Sequence, residues 1–582
     1  MNVPSALAAF GLIGALTVGV IGRQAPAPPG GRVAAPLVTV GRSKVATQYG
    51  IVAASQPLAA RAGVQVLERG GNAVDAAIAT NAVMALVEPY FDGIGGDVFV
   101  IYYEAKTGKL HGLNAGGWAP TGLSAALLKS KGIERMPNRG IYTVTVPGAV
   151  AGWDVLRAKF GKLPMSDLMA PAIFYAENGF PVSEVIASTW ARSRDGLAAE
   201  PYAAKTFLVD GGRTPRAGEV FRNPDLAGSF RLIAAHGRAG FYEGKTAEAI
   251  LAISREKGGT MTAADLREYQ PEWVEPISTT YRGWTVSELP PNTQGIAALM
   301  MLNLMEPFPM AEYGFHSTRA MHVMIEAKKL AYADMLRYVA DQKFTKTPVP
   351  AMLSKEHAKD RARLVDPAKA ACTVEPSVFD GLTNSPGGDT IYLSVIDKDG
   401  NIVSLIQSLY GNFGSGLVAP GTGIMLHNRG GLFTLDEKHV NVLAPRKRPL
   451  HTIIPAFMQK GDVKIGFGIM GGFNQAQAHA QFVADIADYG LDIQQALEAG
   501  RFTKGSFSGC DVQIEALVPE KVRNELKGLG HDVRTVAPRS GTFGYGQAVM
   551  SDGAGVHFGA SEPRHDGAAI PEAPPVFTRQ PR

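Results

Sequence analysis

Residues 390–409 constrain this chain more than any other stretch. TIYLSVID (390–397) and IVSLIQSL (402–409) are two apolar arms rich in β-branched residues. Between them, KDGN (398–401) carries the Asp-Gly pair that favours a tight reversal. The arms therefore predict an antiparallel hairpin. PGGD (386–389) leads into it, so flexible chain gives way to strand at Thr390.

That junction carries chemistry. A threonine hydroxyl is a weak nucleophile and needs an adjacent base, but a threonine at a chain N-terminus supplies its own α-amine. The α-amino pKa, about 8, lies far closer to neutrality than that of a lysine. Thr390 is internal, so the Asp389–Thr390 bond would first have to break. Attack of the Thr390 hydroxyl on the preceding carbonyl would give an ester that water hydrolyses. Gly387 and Gly388 would let the scissile peptide adopt a strained geometry. Read alone, G-G-D-T is far more often just a turn entering a strand.

Helical patterns dominate the first two thirds. PLAARAGVQVLERGG (57–71) is amphipathic and stops on a glycine pair, and Asn72 is placed to cap AVDAAIATNAVMALV (73–87), which is apolar nearly all round and predicts burial. EAKKLAYADMLRYVA (326–340) and QAQAHAQFVADIADYG (475–490) are further amphipathic helices. VFVIYYEA (98–105), KLHGLNA (109–115) and the pair within 454–470 predict strands.

Hydrophobic residues make up 46% of the 582 and charged residues 19%, enough apolar surface for an extensive core. The net charge is +4, and no basic–aromatic stripe suggests nucleic acid. The densest basic patch, PRKRP (445–449), reads as a solvated loop. Cys372 and Cys510 cannot build a disulfide framework; one bridge between them stays open. The 12 histidines show no HExxH-type pairing, so no metal site is indicated. GFGIMG (466–471) is a literal G-x-G-x-x-G with Asp485 downstream, but no βαβ series surrounds it, which argues against a dinucleotide. Residues 6–21, ALAAFGLIGALTVGVI, are short for a membrane span and read as the apolar core of an export signal or an anchor.

The ordered motifs resemble one family. PGGDTIYLSVIDKDGNIVSLIQSLYGNFGSG (386–416) is similar to the processing site of the γ-glutamyltransferases, self-cleaving N-terminal-nucleophile (Ntn) hydrolases. GGNAVDAAIATNA (70–82), EPYFDGIGGD (88–97), VPGAVAGW (146–153), LPPNTQG (289–295), EAKKLAYADM (326–335), KRPLHTIIP (447–455), MGGFNQAQ (470–477) and GASEPRHDGAA (559–569) extend the resemblance along nearly the whole chain. It implies an α+β fold, a four-layer αββα sandwich. It implies a signal or anchor over 1–22, a linker over 23–40, a large subunit over 41–389 and a small subunit over 390–582, the two subunits forming one intertwined unit. Gly388, Asp389 and Thr390 would form the processing site. Thr390 would be the nucleophile, Ser408 its supporting hydroxyl, and the amides of Gly471 and Gly472 the oxyanion hole.

The sequence departs from the family pattern in one subsite. Gly116 stands where the family's carboxylate-binding arginine is expected, and Leu432 where its amine-binding aspartate is expected. Tyr410 replaces a small polar residue, His451 and Thr452 replace a serine pair, and the loop 434–449 is too short for the family's lid. These changes resemble the acylase-like branch, whose glutaryl-type substrates lack the α-amine. Arg429 and Trp118 are the candidate replacements in the pocket, with Tyr410, His451 and Thr452 beside them.

The expectation is an exported, periplasmic or secreted amidohydrolase without a cofactor, acting on a small-molecule amide by hydrolysis more than transfer. A homodimer of the processed heterodimer is one open assembly. A true γ-glutamyltransferase or glutathione hydrolase is the alternative, and an unprocessed binding protein a second.

Overall fold

The computed structural model describes residues 38–377 and 389–576, with Asp389 described in its backbone alone. The apolar segment 6–21, most of the linker, Gly387 and Gly388 lie outside the described residues. Two seven-stranded sheets carry the architecture. The first runs, edge to edge, Val45–Thr47, His557–Ser561, Gly546–Ser551, Val463–Ile469, Ala456–Lys460, Trp284–Glu288, Ile277–Tyr281. The second runs Ala568–Pro571, Ile51–Ala54, Asp389–Ile396, Ile402–Tyr410, Asp97–Glu104, Lys109–Ala115, Glu272–Val274. Every neighbouring pair in both sheets is antiparallel. Residues on either side of Thr390 supply strands to both sheets, so neither part could complete a sheet alone.

The predicted hairpin forms, with Ser394 opposite Ser404 and Ile396 opposite Ile402. Its pleat divides two cores. Ile391, Leu393, Val395, Val403, Leu405 and Leu409 face a helical layer, while Tyr392, Ile396, Ile402 and Ile406 face the other sheet and meet Phe457 and Val549. Helices Pro57–Glu68, Ala73–Val87 and Ala149–Phe160 share the outer core of the second sheet. Helices Gly295–Met305, Thr318–Tyr338 and Asn474–Ala487 cover the first sheet. The order helix, sheet, sheet, helix is the αββα sandwich, and both hydrophobic faces of each sheet are buried.

Ala73–Val87 forms because Asn72 accepts from the amides of Val74 and Asp75, and Asp75 returns a bond from the Asn72 amide. All 15 of its residues are buried. Gly63 lets the preceding helix approach it; a Cβ there would stand 2.1 Å from Thr80 Oγ1.

The tertiary context overturns one local reading and bears on two others. PRKRP is not a solvated loop. Arg448 is buried, bonding Glu272 at 2.7 Å and the Gly116 carbonyl at 2.8 Å, and Lys447 reaches the Val440 carbonyl. The glycines of GFGIMG bind no dinucleotide loop, since their strand is antiparallel on both sides and a Cβ at Gly466 or Gly468 would strike Ile402 or Tyr392 at 2.5 Å. They let the two sheets close together. Cys372 and Cys510 form a disulfide.

Candidate active site

Thr390, the candidate nucleophile, sits at a defect in the hairpin. Ile391 pairs with Gln407, but Asp389 pairs with Tyr410, so Thr390 faces two residues of the partner arm. This bulge re-aims the Thr390 side chain. Its hydroxyl donates to Ser408 Oγ at 3.2 Å, and Ser408 Oγ also accepts the Tyr410 amide at 2.7 Å. Both hydroxyl residues are fully buried. Tyr410 itself has φ +78°, a strained backbone for a bulky residue. Its bond to Ser408 helps hold that conformation.

The strand Val463–Ile469 crosses over this hairpin. Ser394 Oγ donates to the Gly466 carbonyl at 3.1 Å, and the Tyr392 ring lies against Gly468. Each two-residue advance on one strand matches two residues back on the other. Past Ile469 the crossing chain continues through Met470 and bends at Gly471 and Gly472. Those glycines adopt φ +127° and +60°. Their carbonyls accept Asn474 N and Gln475 N at the start of the helix Asn474–Ala487. Gln294 Nε2 ties the bend down by donating to the Gly472 carbonyl at 2.7 Å and the Thr452 carbonyl at 2.5 Å. Neither glycine amide donates to another described residue. Two such amides make an oxyanion-binding pair if a carbonyl is presented to Thr390.

A buried charge cluster adjoins the hydroxyl pair. Asp97 is the register partner of Ser408. Its Oδ1 accepts the amides of Gly117 and Gly148, and its Oδ2 accepts His451 Nε2 at 3.0 Å and faces His427 Nδ1 at 3.4 Å. Burial pushes its carboxyl up, yet His427, His451 and Arg429 outweigh burial and hold it below the usual range. His451 is committed within the protein: Nε2–H donates to Asp97, and Nδ1 accepts Ile453 N at 3.4 Å. Burial, with the Arg429 charge next, pulls its pKa down to about 3, so the ring is neutral. His427 donates Nε2–H to the Thr145 carbonyl at 2.9 Å.

Arg429 is fully buried. Burial lowers its pKa to about 10, against the pull of Asp97, and it stays cationic near neutral pH. Nη1 donates to Thr452 Oγ1 at 2.7 Å, and the guanidinium stacks 4.4 Å from the centre of the Tyr410 ring. Nε and Nη2 find no partner among the described residues. Those two N–H groups share one edge of the guanidinium, the edge that grips a carboxylate bidentately. Leu432 is buried with Tyr410, Leu450 and Phe473 and offers no charge. At Gly116 a Cβ would already lie 3.0 Å from Phe99 Cζ, so no arginine fits without movement.

Arg429, Tyr410, Thr452 and His451 therefore gather beside Thr390 and Ser408. Trp118 packs elsewhere: its ring lies edge-on to Tyr269 and near the guanidinium groups of Arg446 and Arg448. Asp97, His427 and Gln294 escaped the sequence reading. Asp97 opens an otherwise apolar strand directly after two glycines, a local signal that an inward-facing acid could be there. A surface cleft lined by Arg61, Asp167, Phe174 and Tyr175 contains no residue of this site.

One further donor set has metal-like composition. His322, Glu326 and His531 hold ligand atoms within 4.8 Å of one another. Lys329 Nζ already occupies Glu326 Oε1 at 2.7 Å, and the two histidines bond each other at 2.8 Å. The cluster is a buried hydrogen-bond network with its own cation.

The family model of gamma-glutamyltranspeptidase matches residues 59–572. The chain is 38% identical over 518 residues to the glutathione hydrolase-like YwrD proenzyme of Bacillus subtilis, covering 88% of this chain and 96% of that protein. It is 33% identical over 537 residues to the oxamate amidohydrolase proenzyme of Klebsiella pneumoniae, covering 90% and 99%. The structure superposes on a cephalosporin acylase from Bacillus halodurans with a TM-score of 0.85 and 41% identity, covering 95% of this chain and 99% of that one. With the αββα sandwich and a threonine–serine pair at the hairpin bulge, these matches make the chain an amidohydrolase of the Ntn type and a member of the gamma-glutamyltranspeptidase family.

Proposed function

We propose that Thr390 cleaves the Asp389–Thr390 bond and then hydrolyses an amide whose acyl group ends in a carboxylate and lacks an α-amine, as glutaryl amides do. The unpartnered Nε/Nη2 edge of buried Arg429 is the observation that carries this reading. A buried cation with two free donors is costly unless a ligand takes them. Leu432 and Gly116 remove the charges that an α-amino acid group would need. Oxamate, named for one relative, is likewise an amide whose acyl group carries a carboxylate and no amine.

In the mechanism, the freed α-amine takes the Thr390 hydroxyl proton as Oγ1 attacks the substrate carbonyl. Ser408 orients Oγ1, and the amides of Gly471 and Gly472 receive the oxyanion. The α-ammonium returns its proton to the leaving amine, giving an acyl ester on Thr390. Water, deprotonated by the same amine, then attacks the ester and releases the carboxylic acid and the threonine hydroxyl.

Hydrolysis is favoured over transfer because the loop 434–449 does not serve as a lid. Its Leu435 and Leu443 pack with Leu123 and Leu128. The enzyme is exported, to the periplasm or beyond. Among the described residues no helix is long and apolar enough to cross a membrane.

The deciding experiment is kcat/KM on γ-glutamyl-p-nitroanilide and glutaryl-p-nitroanilide, which differ only in the α-amine. Preference for the glutaryl compound supports the reading. Preference for the γ-glutamyl compound replaces it with a true glutathione hydrolase that anchors the amine by another residue. A chain that stays whole and turns over neither compound is a binding protein on this scaffold.

A further inference from the structure

The only two cysteines of the chain are bonded to each other, and Thr390 lies between them. Cys372 stands 17 residues ahead of Asp389. Cys510 stands directly before the strand Asp511–Glu515 of a small three-stranded sheet. Their Cα atoms are 4.5 Å apart, and the backbone around them is stitched together independently. Gly509 N donates to the Cys372 carbonyl at 2.8 Å, Ala370 N to the Leu529 carbonyl at 2.7 Å, and Asp532 N to the Cys510 carbonyl at 2.9 Å. Ala371 N reaches Glu326 Oε2 at 3.3 Å. The two cysteines are thus held side by side by bonds that do not depend on the bridge.

We infer that this disulfide is an interchain bond of the mature enzyme. The inference rests on the proposed cut at Asp389–Thr390. Before the cut, the bridge closes a loop within one chain and restrains its unfolded state. After the cut, the same bridge joins the large chain to the small one. It then makes their association intramolecular, at an effective concentration independent of dilution. It also fastens the tail of the large chain, near its new C-terminus, to the small chain. Bond formation takes two electrons and two protons from the Cys372 and Cys510 thiols and passes them to the disulfide of a thiol–disulfide oxidoreductase, which becomes its dithiol. That requires an oxidising compartment, in keeping with export.

The test uses the full-length chain after processing, alkylated to block exchange, on denaturing gels with and without reductant. The expected result is one covalent species without reductant and two chains with it, and no thiol that reacts with the alkylating reagent. Cys372→Ser should process normally yet separate into two chains on both gels. Its thermal midpoint should fall on tenfold dilution, whereas that of the wild type should not. Two chains resolved without reductant from wild-type enzyme overturn the inference alone. A chain that stays whole under reductant overturns it through the processing reading. Where Cys372→Ser folds poorly, the dilution series is run on wild-type enzyme with and without reductant. A midpoint unaffected by reductant at every concentration then overturns the tether.

Discussion

Arg429 Nη1 meets Thr452 Oγ1 at 2.7 Å, while Nε and Nη2 of the same guanidinium are buried without a described partner. Thr452 in turn shares Gln294 with Gly472, and the Tyr410 ring under Arg429 belongs to the residue whose amide bonds Ser408. The cation is thus coupled to the glycine bend through Thr452 and Gln294, and to the hydroxyl pair through Tyr410 alone.

Arg429→Met should lower kcat/KM for glutaryl-p-nitroanilide by roughly two orders of magnitude, since a charge-assisted bidentate pair is worth about 3 kcal/mol. Valeryl-p-nitroanilide, with the same acyl length and no carboxylate, should change by less than about threefold. Equal losses on both substrates would mean that Arg429 supports the fold of the site rather than reading the acyl group.

Thr390→Ala should abolish both processing and turnover, because one hydroxyl serves both. Thr390→Ser should retain both at reduced rate. The readout is a reducing denaturing gel together with p-nitroaniline release. Cleavage at that bond in Thr390→Ala would place the processing nucleophile elsewhere.

Leu432→Asp would put a carboxylate where the proposed site now offers an ammonium group only an apolar side chain. The ratio of γ-glutamyl to glutaryl turnover should rise by at least about tenfold, one favourable ionic contact in a buried site. Paired kcat/KM values measure it, and an unchanged ratio would show that the amine subsite lies away from residue 432.

His451 should make the protein less stable in acid. Its pKa is about 3 in the folded chain and about 6.5 when unfolded, so below pH 6.5 the unfolded chain binds the extra proton. Stability then rises with pH across that window. Between pH 6.5 and 5 the contribution of His451 should fall by about 1.6 kcal/mol. Urea unfolding of wild type and His451→Asn at both pH values isolates it, as the difference between the two pH dependences. Parallel dependences would mean that His451 is protonated in the fold.

Locally encoded features were legible in the sequence. The hairpin follows from its turn residues and β-branched arms. The helix Ala73–Val87 begins and ends where Asn72 and its apolar run dictate. Thr390 was marked by the G-G-D-T junction, whereas Ser408, Gly471 and Gly472 were candidates only through the resemblance to the γ-glutamyltransferases. The bulge that turns Thr390 toward Ser408 was not legible, since strand register depends on both arms and on the sheets around them.

The sequence by itself determined the hairpin and marked Thr390 as its candidate nucleophile, and the family resemblance pointed to a γ-glutamyl subsite without its charges. Tertiary structure decided which distant groups meet. Asp97 and His451 lie 354 residues apart and bond at 3.0 Å because one opens a strand of the second sheet and the other precedes a strand of the first. Arg448, a surface residue by its neighbours in sequence, is buried because Glu272 and the Gly116 carbonyl come to it from other parts of the chain. The Cys372–Cys510 pairing was likewise fixed by loops brought together from either side of Thr390. Local propensity sets elements within a few residues, whereas charge pairing and burial depend on which surfaces the two sheets bring into contact.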